Sequence, residues 1–184
     1  METISFRPLA RADFPLVSRW LAAPHVARWW QRPADLASIE QAYGPSIDRT
    51  DPTEMFIIEA DQTPIGLIKR YRLADYPDWQ RAVNVLDAAG IDYLIGEVDL
   101  TGKGLGSRTI RYFTTAALER YPELEAVVAA PQQENVASWK ALENAGYERF
   151  WGGQLDSDDP ADAGTSASST FGGGSGVARA SRAL

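Results

Sequence analysis

An α/β fold built on a mixed sheet is predicted by three observations. Strand-like and helix-like segments alternate across residues 1–151. Within them, a strand, a glycine-rich loop, a helix and a second strand follow in order over residues 91–130, which requires a parallel crossover. Two dense apolar runs around a short polar turn at 55–73 add an antiparallel hairpin.

Each element has its own local reason. Residues 3–7 read as a strand, with Ile4 and Phe6 on one face. Asp13 opens a helix whose apolar stripe is Phe14, Val17, Trp20 and Leu21. Pro24 interrupts it, and a second helical piece runs through Trp29 and Trp30. A third helix over 33–43 carries proline in its first turn, where a missing N–H does no harm. Residues 55–60 and 65–73 are the hairpin strands, joined by the turn Asp61-Gln62-Thr63-Pro64.

A polar loop through Asp75, Pro77, Asp78 and Trp79 leads to a strand at 91–97. The glycine-rich segment 101–107 then feeds a helix through Arg120, with Ile110, Phe113 and Ala117 at helical spacing. Residues 124–130 read as strand, 134–144 as helix and 147–151 as a short strand. Gly146 stands where a helix C-terminal glycine belongs.

Composition narrows the chemistry. The chain has 184 residues, 25 acidic against 18 basic, for a net charge of -7. That balance argues against binding a phosphate backbone and for a small cationic partner. Cysteine is absent and His25 is the only histidine, which excludes disulfides, thiolate metal sites and cysteine nucleophiles, and leaves no expected metal. The longest apolar runs fall far below the roughly 20 residues of a membrane span. With no secretory signal at the N-terminus, the expectation is a soluble cytoplasmic protein, without membrane or nucleic-acid partners.

Residues 152–184 break the pattern. They hold seven glycines, six serines and six alanines, with Phe171 as the one aromatic. Such a composition buries too little apolar surface to offset its ordering entropy. The expected organisation is a folded domain at 1–151 and a flexible tail at 152–184.

The loop Gly102-Lys103-Gly104-Leu105-Gly106-Ser107 lets backbone approach a ligand, and the helix after it offers free N–H groups to an anion. It is not a Walker A loop, because glycine follows Lys103. It is not the dinucleotide fingerprint, because Ser107 or Thr109 stands where the third glycine is needed. Glycine between strand and helix is equally well a simple tight turn.

The spacing resembles the pyrophosphate loop of the GNAT superfamily, the GCN5-related N-acetyltransferases. Gly104 and Gly106 match that pattern, while Thr101 replaces its Gln or Arg. Asn135, early in a helix after a strand, matches a family position that contacts coenzyme A. Asn144-Ala145-Gly146-Tyr147-Glu148 resembles the closing motif. Element order agrees over residues 3–151. The resemblance implies a central mixed, twisted sheet with helices on both faces. It also implies acetyl-CoA as co-substrate, held by Gly102, Lys103, Gly104, Leu105, Gly106, Ser107 and Asn135.

Within the superfamily the sequence resembles the aminoglycoside 6'-N-acetyltransferases, enzymes of antibiotic resistance. The carrying residues are His25-Val26-Ala27-Arg28-Trp29-Trp30, Gly90-Ile91-Asp92-Tyr93 and Ile95-Gly96-Glu97 running into the loop. The resemblance makes Asp92 the catalytic, acceptor-site carboxylate. Amine acetylation needs a neutral nucleophile, and a carboxylate beside the amine binds the ammonium and can receive its proton. Backbone N–H groups at a splayed strand can polarise the thioester carbonyl. Asp75, Asp78 and Glu97 would add negative charge for a polycation; Asp75 and Asp78 read more simply as part of a solvated loop. Trp79 either flanks a sugar ring or packs. Trp29 and Trp30 could line the acceptor site, with one of them in the core, and His25 reads as structural.

Three departures stand out. Ala130 replaces a second acceptor aspartate. Leu142 replaces the tyrosine that acts as general acid toward the leaving thiolate, a role water can fill; Ser138 has no geometric claim to it. Nothing in 152–184 reads as the fold's last strand, so that strand is expected to be lost, leaving a bare sheet edge and a route to a homodimer. Two other functions compete: acyl transfer to a lysine-derived amine, as in siderophore assembly, and a coenzyme A-binding remnant with little turnover.

Overall fold

The computed structural model describes residues 2–153 and 175–182. Strand β1 (Ile4–Pro8) is followed by helices α1 (Phe14–Ala22), α2 (Pro24–Trp30) and α3 (Leu36–Ile47). Strands β2 (Glu54–Ala60) and β3 (Thr63–Arg72) precede α4 (Pro77–Val83) and β4 (Ala88–Ile95). Helix α5 (Leu105–Arg120), β5 (Ala126–Ala129), α6 (Val136–Asn144), β6 (Glu148–Gly153) and β7 (Ser175–Ser181) complete the order. Among the described residues the strands form one sheet, β1-β2-β3-β4-β5-β7-β6. Strands β4 and β5 are parallel, and the hairpin β2–β3 is antiparallel, so the sheet is mixed as predicted. No described helix is long and apolar enough to cross a membrane.

The chain divides into two compact units, each with its own core: Met1–Arg70 with Asp92–Thr109, and Tyr71–Ile91 with Ile110–Leu184. In the first, α1 turns Phe14, Val17, Trp20 and Leu21 inward, the stripe read from the sequence. They pack with Ile39 of α3 and with Ile57, Leu67 and Leu94 of the sheet. Helix α3 starts later than expected because Asp35 caps it, accepting hydrogen bonds from the Ser38 amide at 2.9 Å and the Ser38 hydroxyl at 2.7 Å. It also runs past Pro45 to Ile47.

The β2–β3 turn is shorter than the four residues expected. Asp61 and Gln62 alone make it, at φ 48° and 64°, the two left-handed positions of a tight hairpin. Asp61 offsets its backbone strain by accepting a 2.8 Å hydrogen bond from the Thr3 amide. Gly66 is required for a different reason: a Cβ there would lie 2.1 Å from the Leu94 carbonyl oxygen.

The second unit packs Tyr71, Leu73, Trp79 and Val83 against Ala126 and Val128 of β5 and Val177 of β7. Residues expected to form a polar loop are instead α4, begun by Pro77. Gly146, at φ 96°, follows the α6 cap. Its amide donates to Glu143 O and the Tyr147 amide to Leu142 O, each at 3.0 Å, a Schellman closure.

The expectation of a lost last strand is overturned. Ser175–Ser181 is strand β7, inserted between β5 and β6 and antiparallel to both. A strand of small residues gains two backbone ladders there, and composition does not register that gain. Arg182 anchors its end: its side chain donates to the carbonyl of Leu118 in the last turn of α5 at 2.6 Å and to that of Leu124, between α5 and β5, at 3.2 Å. The edge of β5 is therefore covered, and the homodimer argued from a bare edge loses that basis. Of the flexible tail expected at 152–184, residues 154–174 and 183–184 lie outside the described residues.

Candidate active site

Asp92 stands on β4 in the first unit with its side chain 20% exposed. Its Oδ2 atom is buried and faces Lys69 Nζ of β3 at 3.2 Å. The glycines flanking it in sequence are both required by rings. A Cβ on Gly90 would stand 2.3 Å from the Tyr71 ring, and one on Gly96 would stand 2.1 Å from Trp20. The Gly-Ile-Asp and Ile-Gly-Glu motifs thus encode two close ring contacts on the strand that carries the carboxylate.

Glu97 serves α1. Its Oε1 accepts hydrogen bonds from Trp20 Nε1 at 2.8 Å and Arg19 Nη2 at 2.5 Å. His25 Nε2 donates to the Ile95 carbonyl at 3.0 Å and so ties α2 to β4, in keeping with its structural reading. Trp30 packs on the core of this unit. Trp29 is half-buried, with the Arg28 guanidinium 4.7 Å from its ring centre.

The glycine loop follows in the same unit. Gly102 and Gly104 adopt φ +72° and +77°, and a Cβ on either would meet no atom within 4 Å. Packing does not demand glycine there; the left-handed backbone does, and the side facing outward is open. Lys103 is exposed and Gly106 and Ser107 are half-buried, while Leu105, 3% exposed, pins the start of α5. An exposed glycine backbone leading into a helix N-terminus fits an extended anionic ligand such as the pyrophosphate of acetyl-CoA.

The remaining predicted residues belong to the second unit. Asp75 is held by Arg72 through two hydrogen bonds, at 3.1 and 2.9 Å. Asp78, in the first turn of α4, pairs with Arg81. Trp79 is 2% exposed in the apolar cluster, so the expectation of a ring flanking a sugar is corrected to a packing role; helix α4 turns it inward. Asn135 is the N-cap of α6, its Oδ1 accepting from the Ser138 amide at 3.1 Å. Trp139 Nε1 donates to Gln132 O at 3.1 Å and steadies the turn before it. Ala130 and Leu142 are both buried.

A family model described as an acetyltransferase (GNAT) domain matches residues 10–153. The chain belongs to the GNAT family. As a GNAT enzyme it is an N-acetyltransferase. Curated relatives from Klebsiella pneumoniae and Serratia marcescens, both named aminoglycoside N(6')-acetyltransferase type 1, are 27% identical over 153 residues. Those alignments cover 80% of this chain and 75% of each relative. Among solved structures, aminoglycoside acetyltransferase AAC(6')-Ib with coenzyme A and kanamycin superposes with a TM-score of 0.78 at 24% identity, covering 98% of this chain and 95% of that one. An aminoglycoside N(6')-acetyltransferase from Legionella pneumophila gives 0.66 at 17% identity, covering 97% and 91%. These structural likenesses establish the fold.

Sequence reasoning missed Lys69 in this GNAT domain. The signal was present: a lysine directly after the apolar run Ile65-Gly66-Leu67-Ile68, in a strand-like segment where a buried charge needs a partner.

Proposed function

We propose that this GNAT enzyme transfers the acetyl group of acetyl-CoA to a primary amine of an aminoglycoside, the 6'-amine by the names of its relatives, in the cytoplasm. The observation that carries this reading is Asp92, a part-exposed carboxylate on the strand that leads into the glycine loop. Acetyl-CoA, when bound, supplies a thioester whose carbonyl carbon accepts the amine and whose sulfur leaves as thiolate. Gly102–Ser107 hold the coenzyme in this reading, the exposed loop backbone taking its pyrophosphate. Asp92 would bind the acceptor as ammonium, orient its nitrogen and take one proton from it, so that the neutral amine attacks; as the N–C bond forms and the C–S bond breaks, the second nitrogen proton passes to water. Trp29 lines the acceptor side. With Leu142 in the core, protonation of the thiolate falls to water.

One observation favours a less cationic acceptor. Each acidic residue assigned to the substrate already has a cation of this chain beside it: Asp92 has Lys69, Asp75 has Arg72, Asp78 has Arg81 and Glu97 has Arg19. That pairing reduces the negative charge offered to a polycation and gives weight to acyl transfer onto a lysine-derived amine. Competition between kanamycin and a lysine-derived primary amine for one acetyl-CoA pool decides between them. A higher kcat/KM for kanamycin, with the acetyl group mapped to N6', supports the first reading; preference for the lysine derivative replaces it.

A further inference from the structure

Lys69 takes no part in the reaction as described above, yet its setting is costly. It lies on β3 with its side chain 8% exposed, in a strand whose neighbours are Ile65, Leu67 and Ile68. A buried ammonium persists only with a partner that offsets its desolvation. Its Nζ faces Oδ2 of Asp92 at 3.2 Å, and that oxygen is itself buried. The 20% exposure of the Asp92 side chain therefore lies on its other atoms. The carboxylate thus has one buried oxygen toward the ammonium, in a side chain that is part-exposed as a whole.

We infer that Lys69 is a positioning residue that fastens the buried Oδ2 of Asp92 and so orients the rest of the carboxylate for the acceptor amine. The inference rests on the acceptor role of Asp92 proposed above. A carboxylate anchored through one oxygen loses rotational freedom before the acceptor arrives, so the reacting nitrogen is oriented at lower cost. The same ammonium repels an incoming cation. Lys69 thus acts on turnover in two opposite ways: ordering raises kcat, while its charge raises the KM of a cationic acceptor.

A lysine that only supported the fold would not produce that split. Steady-state kinetics with acetyl-CoA and kanamycin on the full chain test it, using Lys69→Gln, Lys69→Arg, Asp92→Asn and the double variant Lys69→Gln/Asp92→Asn. Lys69→Gln is expected to lower kcat about tenfold, with kanamycin KM unchanged or lower and acetyl-CoA affinity intact. Lys69→Arg, which keeps the cation, is expected to recover most of kcat. In the Asp92→Asn background, Lys69→Gln is expected to change kcat no further, because Lys69 acts through Asp92.

The double variant removes both charges of this pair together. If Lys69→Gln alone fails to fold, the double variant and Lys69→Arg are each measured against Asp92→Asn and wild type. Independent, multiplying losses from the two positions would overturn the inference. So would a raised KM at unchanged kcat. Wild-type protein without kanamycin-dependent turnover would instead remove the acceptor reading itself, and this inference with it.

Discussion

The indole of Trp20 closes over Gly96 so tightly that a Cβ on the glycine would stand 2.1 Å from Trp20 Cγ, while Trp20 Nε1 donates to Glu97 at 2.8 Å. One aromatic side chain thus fixes two successive residues at the end of the strand that carries Asp92. Gly96→Ala forces the ring or the strand to move. The expected cost is about 2–3 kcal/mol, read as a drop in Tm of roughly 5–10 °C. Unchanged Tm would mean that the ring has room to yield.

Asp92→Asn keeps the shape and removes the charge that binds and deprotonates the amine. Turnover with an amine acceptor is expected to fall about 100-fold or more, with acetyl-CoA affinity nearly unchanged by calorimetry. Equal loss of both would take Asp92 out of the acceptor role.

Gly104 sits at φ +77° in open space. Gly104→Val places a β-branched residue in a left-handed conformation and fills the approach to the loop. Acetyl-CoA binding is expected to be lost while β-sheet content by circular dichroism is retained. Wild-type affinity would withdraw the loop from coenzyme binding.

Acid sensitivity follows from Asp13. Arg7 donates to both its oxygens, at 2.8 and 2.7 Å, and holds its carboxyl below the ordinary 3.8. A carboxylate with a lowered folded pKa contributes stability that is fully present above the unfolded value and is lost as pH falls through the folded one. Asp13→Asn is therefore expected to lower Tm near neutral pH and to converge with wild type well below pH 3.8, as followed by thermal melts across pH. A constant difference at all pH values would contradict that linkage.

Strand β7 makes a further prediction through Arg182, whose guanidinium binds the Leu118 carbonyl in the last turn of α5 and the Leu124 carbonyl beyond it. Arg182→Ala is expected to cost about 1–2 kcal/mol by denaturant unfolding. No change in midpoint would mean that this cap adds nothing to the sheet.

Most of the first unit was legible because its signals are local. The stripe Phe14, Val17, Trp20 and Leu21 has helical period, and Pro24 marks the break that the structure shows. The glycine loop was legible from its place between a strand and a helix. What escaped depends on distant partners. Gly176, Ala178 and Ala180 carry almost no strand signal, and β7 exists because β5 and β6 each supply a ladder. Asp61 and Gln62 make a turn usually marked by glycine, with Asp61 compensated by Thr3. The Lys69–Asp92 pair joins two strands, and only the structure places its atoms 3.2 Å apart.

The central claim is amine acetylation by a GNAT enzyme that uses Asp92. Release of coenzyme A thiol from acetyl-CoA, with and without kanamycin, in wild type and Asp92→Asn, tests it most directly. Kanamycin-dependent release by wild type and near-complete loss in Asp92→Asn are expected. Acetyl-CoA bound by wild type without any kanamycin-dependent release, or equal rates in the two proteins, would contradict the claim.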